Sequence, residues 1–311
     1  MCFKKQKWRE THISLQNIFS DTAYYFITAA ASEGVRVTEA STYDITDKII
    51  SSYIARKVHE LDEVNLLGNS GRDWFEAYFN VGESRSYNFP TEGAIDTIKA
   101  FIKIVGRSDL AGAFEIYNNE TLLGLISYKG INTKSGSTYD LKGDIQNEIF
   151  TFLVNDATTI LTLKLPLVAG YDVLIGYLDQ IVLTYASDLV LHNDMMLFSN
   201  PLLEQDTITY EIISGENIEV WDITYPQVES LPLHSVGGSH KFTTLNHDQQ
   251  RFVVFSNQNL PQPIAFHPIS NQYISDLNPM DGLIITHPEF IASAERLARF
   301  HSAHDQLDVA V

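Results

Sequence analysis

The feature that most constrains this chain is strict two-residue alternation over 95–105. Ile98, Ala100, Ile102 and Ile104 fall on one side, and Lys99, Phe101, Lys103 and Val105 on the other. A period of two puts successive side chains on opposite faces of a strand, so this segment predicts a half-buried strand rather than a helix. The same grammar recurs. AFEIYNNETLLGLISY reads as a hairpin, because Asn118 and Asn119 tolerate the positive φ of a tight turn. Leu161, Leu163 and Leu165 alternate with Ile160, Thr162 and Lys164, and Gln180 to Tyr185 forms a further run. Strands separated by turn signals, with no strong helix between them, predict an antiparallel sandwich over 95–200.

The flanks are less regular. Tyr24 to Ile27 and Val35 to Val37, joined by Ser32, Glu33 and Gly34, predict a strand pair, while the segment from Tyr53 to Phe79 mixes two periods and predicts short irregular pieces around a turn at Asn69 to Gly71. Ile208, Tyr210 and Ile212, then VWDITYP, then Phe252 to Phe255 continue the β pattern, and Asn257 to Pro263 has the composition of a linker. Beyond it the pattern changes. Leu283 to Ile285 is a short apolar run suited to a parallel sheet. Thr286 and Glu289 have the spacing of a capping box, with Pro288 in the first turn. Phe290, Ile291, Ala294, Leu297 and Ala298 recur at helical spacing, and Val309 to Val311 begins another strand.

The expected class is therefore mainly β: antiparallel, jelly-roll-like sandwich domains followed by a truncated α/β segment. The expected divisions are an incomplete β-rich region (1–94), a sandwich (95–200), a β segment with linker (201–262) and the start of an α/β domain (263–311). A length of 311 residues asks for two or more cores.

Charge and cysteine usage exclude several functions. With 39 acidic against 21 basic residues the net charge is -18, which repels phosphate backbones, so nucleic acid is not an expected partner. The one cysteine, Cys2, permits no intrachain disulfide and no thiolate metal site, and its neighbours Phe3, Lys4, Lys5 and Lys7 leave His12 as the nearest histidine in sequence. The basic opening MCFKKQKWRE lacks the apolar run of a secretory signal, and no window approaches the roughly 20 apolar residues of a membrane span.

ITHPEFIASAERLARFH followed by DVAV resembles the first strand, helix and second strand of the catalytic domain of gingipain-like cysteine peptidases, with Leu297-Ala298 and Phe300-His301 as the paired signatures of the type IX secretion sortases. SDTAYYFITAAASEGVRV, HELDEVNLLGNSGRDWF, YLDQIVLTYASDLVL and VWDITYP match that family in its order. The resemblance implies a gingipain/caspase-like α/β domain after the β platform. In the full-length relative it implies a sortase that removes a C-terminal sorting domain from secreted cargo and attaches the cargo to a surface glycolipid, at the cell surface and beside outer-membrane type IX secretion components. The family's His-Gly histidine and nucleophilic cysteine match no position here, so no catalytic, cofactor-binding or metal-ligating residue is assigned, and no cofactor is implied. The competing reading is a free-standing β-sandwich that binds glycans or cell-surface partners.

Several side chains invite chemistry and have a plainer role beside it. His301 and His304 with Asp305 could ligate a metal, but at a helix end they also suit the helix dipole. Glu60, Asp62 and Glu63 could pose as an acid/base pair and are read as solvated. Arg72 beside Asp73 is read as a tie across a turn. Trp74 and Trp221 could stack on sugars and are read as core anchors. His287, before Pro288, stands where open α/β sheets bind ligands, or simply starts the helix. Asp140, Asp144 and Asp222 offer oxygens for calcium without the spacing of a calcium loop.

Overall fold

The computed structural model describes residues 25, 27, 34–64, 73–137, 139–167, 174–199, 206–247, 250–256, 258, 260, 262, 268 and 280–311. The chain divides into a unit from Met1 to Leu260 and a second from Pro261 to Val311. The first opens with two short strands, β1 (Thr38–Glu39) and β2 (Ile49–Ile50). There follow β3 (Ser52–Glu60), β4 (Phe79–Asn80), β5 (Ser84–Pro90), β6 (Ala94–Ser108), β7 (Gly112–Asn118) and β8 (Thr121–Tyr128). Then come β9 (Asp144–Leu153), β10 (Thr158–Lys164) and β11 (Leu174–Asp188). β12 (Met195–Ser199), β13 (Thr207–Ile213), β14 (Ile218–Asp222), β15 (Glu229–Ser230), β16 (His234–Val236), β17 (Ser239–Leu245) and β18 (Arg251–Ser256) complete the unit.

These strands make two sandwiches. In the first, a sheet ordered β3-β11-β6-β9, with β4 beside β11, faces a sheet ordered β5-β10-β7-β8. All the pairings are antiparallel. The alternation that predicted β6 holds, since Ile98, Ala100, Ile102 and Ile104 are all fully buried against Phe114, Ile116, Leu161 and Leu163 of the facing sheet. Each of these isoleucines contributes about 1.5–3 kcal/mol through lost apolar exposure. The hairpin turn lies where the asparagines placed it, with Asn119 at φ 51°. In the second sandwich, β1-β15-β14-β18-β12 faces β16-β17-β13-β2, around a core containing Ile208, Tyr210, Ile212, Phe242 and Phe252.

Two glycines shape the first core. Gly106 and Gly176 are register partners on β6 and β11. An added Cβ would lie 2.1 Å from the Tyr128 ring at Gly106 and 2.2 Å from the Phe114 ring at Gly176. The pair is therefore a bare floor on which two aromatic rings rest, with Phe79 edge-on to Phe114 at 5.3 Å.

The structure corrects four expectations. The segment from Tyr53 onward begins as a regular nine-residue strand, β3, in continuous register with β11. The positions in phase with Tyr53 and Ala55 include Lys57 and His59, which hid the alternation. Strands β3 and β5, both before residue 95, pair within the first sandwich, so that sandwich begins near Ser52. Strand β12 pairs with β18 and belongs to the second sandwich, although it precedes residue 201. Val35 to Val37 are not in a strand, and β1 starts at Thr38. The rest of that expected strand pair, apart from Tyr25, Ile27 and Gly34, and the turn at Asn69 to Gly71 lie outside the described residues.

The second unit holds a strand-helix-strand element. β19 (Gly282–Leu283) pairs in parallel with β20 (Val309–Ala310), and helix α1 (Ile291–His304) lies between them in sequence. A short 3-10 turn, Pro288–Phe290, precedes α1, so the cap moves from Thr286 to His287, whose Nδ1 accepts the Glu289 amide at 3.3 Å. Ala294 and Ala298 are buried, whereas Phe290, Ile291 and Leu297 of the expected stripe stay about half exposed.

Gly176→Ala should cost about 1–3 kcal/mol, because the new methyl group must displace Phe114. Gly136→Ala, where nothing lies within 4 Å, should change stability little. Urea denaturation of both variants checks this, and equal effects would count against the glycine floor.

Candidate functional site

The polar side chains of the first sandwich gather at two places. One lies between the edges of its sheets. β5 turns Arg85, Tyr87 and Phe89 inward and Ser84, Ser86 and Asn88 outward. Arg85 grips the turn before β5: it donates to the carbonyls of Ala77 at 2.5 Å and Tyr78 at 2.6 Å, donates to Glu83 at 2.7 Å and 2.9 Å, and lies 4.3 Å over the Phe79 ring. The Asn80 amide and then Arg85 hold the Glu83 carboxyl below its ordinary range. Next to this clamp, the buried Glu76 bonds His59 Nε2 on β3 at 2.9 Å and lies 3.7 Å from Arg85. The Tyr87 ring packs 4.6 Å from His59. Burial, and then the Glu76 carboxylate, push the Tyr87 hydroxyl well up, so it stays protonated at neutral pH.

Chemically this is a histidine-carboxylate pair without a nucleophile. Among the described residues no serine, threonine or cysteine hydrogen-bonds to His59. The cluster ties β3 to β5 across the sandwich edge.

The second place is a β-bulge. The β6–β11 register shifts between Leu178 and Gln180, and the intervening Asp179 is buried and paired with Lys103 at 2.6 Å. Burial raises the Asp179 carboxyl, Lys103 opposes that, and the nearby Asp73 and Asp62 add to it. Asp62 is itself raised by burial.

Neither place was singled out by sequence, yet signals existed: an arginine in phase with Tyr87 and Phe89, and an aspartate inside the apolar run LIGYLDQIVL.

The residues that were singled out are dispersed. Glu63 accepts the Ala77 amide at 3.1 Å, a structural role. Glu60 lies on the outward side of β3 with Arg56. Trp74 is no core anchor, being 39% exposed while its neighbour Phe75 is fully buried, because adjacent residues of an extended segment face opposite ways. Trp221 lies on the outward side of β14, edge-on to Phe255 at 4.9 Å, and donates to Glu219 at 3.1 Å. Asp140 accepts from the Ser135 hydroxyl. Asp144 accepts the Lys129 amide at 2.7 Å, and Asp222 accepts from the Thr224 amide at 2.8 Å and Gln250 at 2.9 Å, so their oxygens are engaged by protein donors. His301 and His304 each bond Asp305 at 2.7 Å through Nδ1, which holds the Asp305 carboxyl below its ordinary range. His287 caps the 3-10 turn, as described above. No group of three or more histidine, cysteine or acidic side chains placed to hold a metal occurs among the described residues. Cys2, His12 and Arg72 lie outside them.

No protein-family model matches the chain, and no curated protein matches it. Solved structures do. The crystal structure of dimeric latent PorU from Porphyromonas gingivalis superposes with a TM-score of 0.72 at 17% identity, over 89% of this chain and 27% of that one. The fold is PorU-like. The chain thus spans about a quarter of the length of that structure. The insecticidal delta-endotoxin Cry8Ea1 from Bacillus thuringiensis gives a TM-score of 0.30 at 13% identity, over 42% of this chain and 24% of that one. A CBM36-1 domain of a xylanase from the hindgut metagenome of Trinervitermes trinervoides gives 0.26 at 10%, over 42% and 95%.

The bulge pair makes a signed prediction. A carboxyl whose pKa is raised by folding is stabilised by protonation, so its contribution grows as pH falls and is lost as pH rises through the folded value. Lys103→Met leaves the buried Asp179 unpaired and should cost roughly 2–3 kcal/mol at pH 7, toward the low side because Lys103 is 26% exposed. The deficit should shrink as the pH is lowered from 7, as the carboxyl takes up its proton. Urea titrations at several pH values measure it, and a deficit independent of pH would refute this account.

Proposed function

We propose that this chain is the accessory β region of a gingipain-like cysteine peptidase acting as a type IX secretion sortase. The observation that carries the reading is the PorU-like fold over 89% of the chain. The sequence signatures support it by where they fall: HELDEV leads out of β3, YLDQIVLTYASDLVL occupies the central strand β11, and VWDITYP leaves β14. They thus reach strands of both sandwiches in the family's order.

In this reading the two sandwiches form a platform for the peptidase domain, and the strand-helix-strand element of 282–310 is the first part of that domain. The cysteine and histidine of the chemistry lie outside this stretch. The partners are outer-membrane type IX secretion components and secreted cargo, and the place is the cell surface. No helix among the described residues is long and apolar enough to cross a membrane. One observation favours the glycan-binding alternative: the exposed indole of Trp74. A glycan array comparing the chain with Trp74→Ala separates it from the platform reading.

The decisive test is a chimera. The matching region of Porphyromonas gingivalis PorU is replaced by this chain, and signal removal and surface attachment of a type IX cargo are followed by immunoblotting of cell fractions. The platform reading expects measurable processing. A chimera that reaches the outer membrane in normal amount and processes nothing would overturn it.

A further inference from the structure

The two sandwiches meet along strands that end their sheets. Among the described residues β3 pairs only with β11, and β12 only with β18. Antiparallel ladders alternate, so one known hydrogen bond fixes which backbone groups point outward. The Leu189 amide donates to the Ser51 carbonyl at 2.8 Å, and Ser51 and Leu189 continue the β3–β11 register. Tyr53, Ala55 and Lys57 therefore face the ladder, and Ile54, Arg56 and Val58 aim their N–H and C=O groups away from it. On β12 the Ser256 amide donates to Asp194 at 2.9 Å, which by the same parity turns the backbone groups of Met195, Leu197 and Ser199 outward.

Between these edges lies a cleft of about 370 Å³, lined by five consecutive residues of each strand, 53–57 and 195–199. Consecutive residues of a strand point their side chains to opposite faces. A cavity touching every one of them follows the backbone edge, and its lining by Tyr185 and Ser187 carries it onto β11 as well. Five residues give roughly 16 Å of edge, enough for a short extended segment.

The side chains there indicate what kind of segment. Ile54, Met195 and Leu197 are about half exposed. Arg56 lines the cleft with Nε and Nη2 buried and without a hydrogen-bond partner. Burial pushes its guanidinium down, with Glu60 on the same strand as the opposing charge. Buried guanidinium donors left unpaired are costly, and a carboxylate meets them with strong charge-assisted bonds. The acidic groups Glu92 and Asp188 are gathered around His192, at 3.9 Å and 3.8 Å.

We infer that the cleft between β3 and β12 is a strand-addition site for an extended peptide segment of a partner protein. The segment carries apolar side chains at alternate positions and a carboxylate that reaches Arg56. Backbone hydrogen bonds to the free edge supply the affinity, and the Arg56 guanidinium supplies the selectivity. The inference goes beyond the platform reading and does not rest on it.

The test uses the full chain and three labelled nine-residue peptides of alternating Val and Thr, with Glu, Gln or Lys at the central Thr position, followed by fluorescence anisotropy. The Glu peptide should bind at least about fivefold tighter than the others. Ile54→Pro removes an outward N–H that β11 does not use, so it should weaken binding by about tenfold or more while the thermal midpoint stays near that of the parent. Arg56→Gln should keep the binding that the edge provides and erase the preference for Glu, which preserves the test if the proline variant folds poorly. Absence of binding by all three peptides overturns the inference, as does binding unchanged in a folded Ile54→Pro protein. Sedimentation showing dimers that Ile54→Pro abolishes would assign the cleft to a second copy of the chain and also overturn it.

Discussion

The Leu189 amide donates to the Ser51 carbonyl at 2.8 Å at the point where two strands leave one sandwich for the other. On one side β2 pairs with β13, and after the single residue Ser51 the chain continues as β3 against β11. On the other side β11 ends at Asp188, and Leu189 and Leu191 exchange backbone bonds with Ile213 of β13, at 2.9 Å each. Both crossings thus run through one hydrogen-bonded seam. Tyr53 seals it, packing against both cores with its ring 5.9 Å from Phe198. A seam satisfied on both strands resists bending, because any hinge would leave these backbone groups unpaired and out of water. The facing of β3 and β12 across the cleft depends on this seam.

How much of this was legible in the sequence follows from burial. Strands in the middle of a sheet, such as β6, β10 and β13, carry apolar residues on every second position, and Ile98 to Ile104, Leu161 to Leu165 and Ile208 to Ile212 announce themselves. Edge strands are different. β3 puts Lys57 and His59 in phase with Tyr53 and Ala55, where Lys57 is exposed and His59 hydrogen-bonds Glu76 instead of packing as an apolar residue, and the two-residue period disappears from view. Domain edges were therefore misplaced where edge strands begin and end, at β3 and β12. Pairing across long sequence distances, such as Thr38 with Glu229, left no local sign at all.

The two polar clusters were hidden for a related reason. Sequence reading weighs a charged residue as surface, and that rule fails where geometry supplies a partner. Arg85 sits in phase with buried aromatics because its fork reaches two carbonyls and Glu83, while its flat face covers Phe79. Asp179 is inside because a bulge turned it there and Lys103 meets it. The opposite error occurred at Trp74 and in α1, where large apolar residues were assigned to cores and stand half exposed. Hydrophobicity alone does not say which face of an element its neighbours cover.

The same balance explains why charged pairs keep to the edges and outward faces of the first sandwich while its centre is apolar. At the centre, Phe114 and Tyr128 lie on Gly176 and Gly106 with no room for water, so an unpaired charge there would be prohibitive. Toward the edges each sheet has a side with no neighbouring strand, and a long charged side chain can bury its stem and keep its head bonded. Arg85, on the end strand β5, does this with Glu83, whereas Lys103 meets Asp179 on the outward face of the central strand β6. Arg56, on an edge as well, has Nε and Nη2 buried and unbonded, with Glu60 as the opposing charge on its own strand. Arg85 and Arg107 find their acceptors within the chain, in Glu83 and in backbone carbonyls, so on a chain of net charge -18 the Arg56 donors mark the edge of β3 as the place where a group from outside completes the pattern.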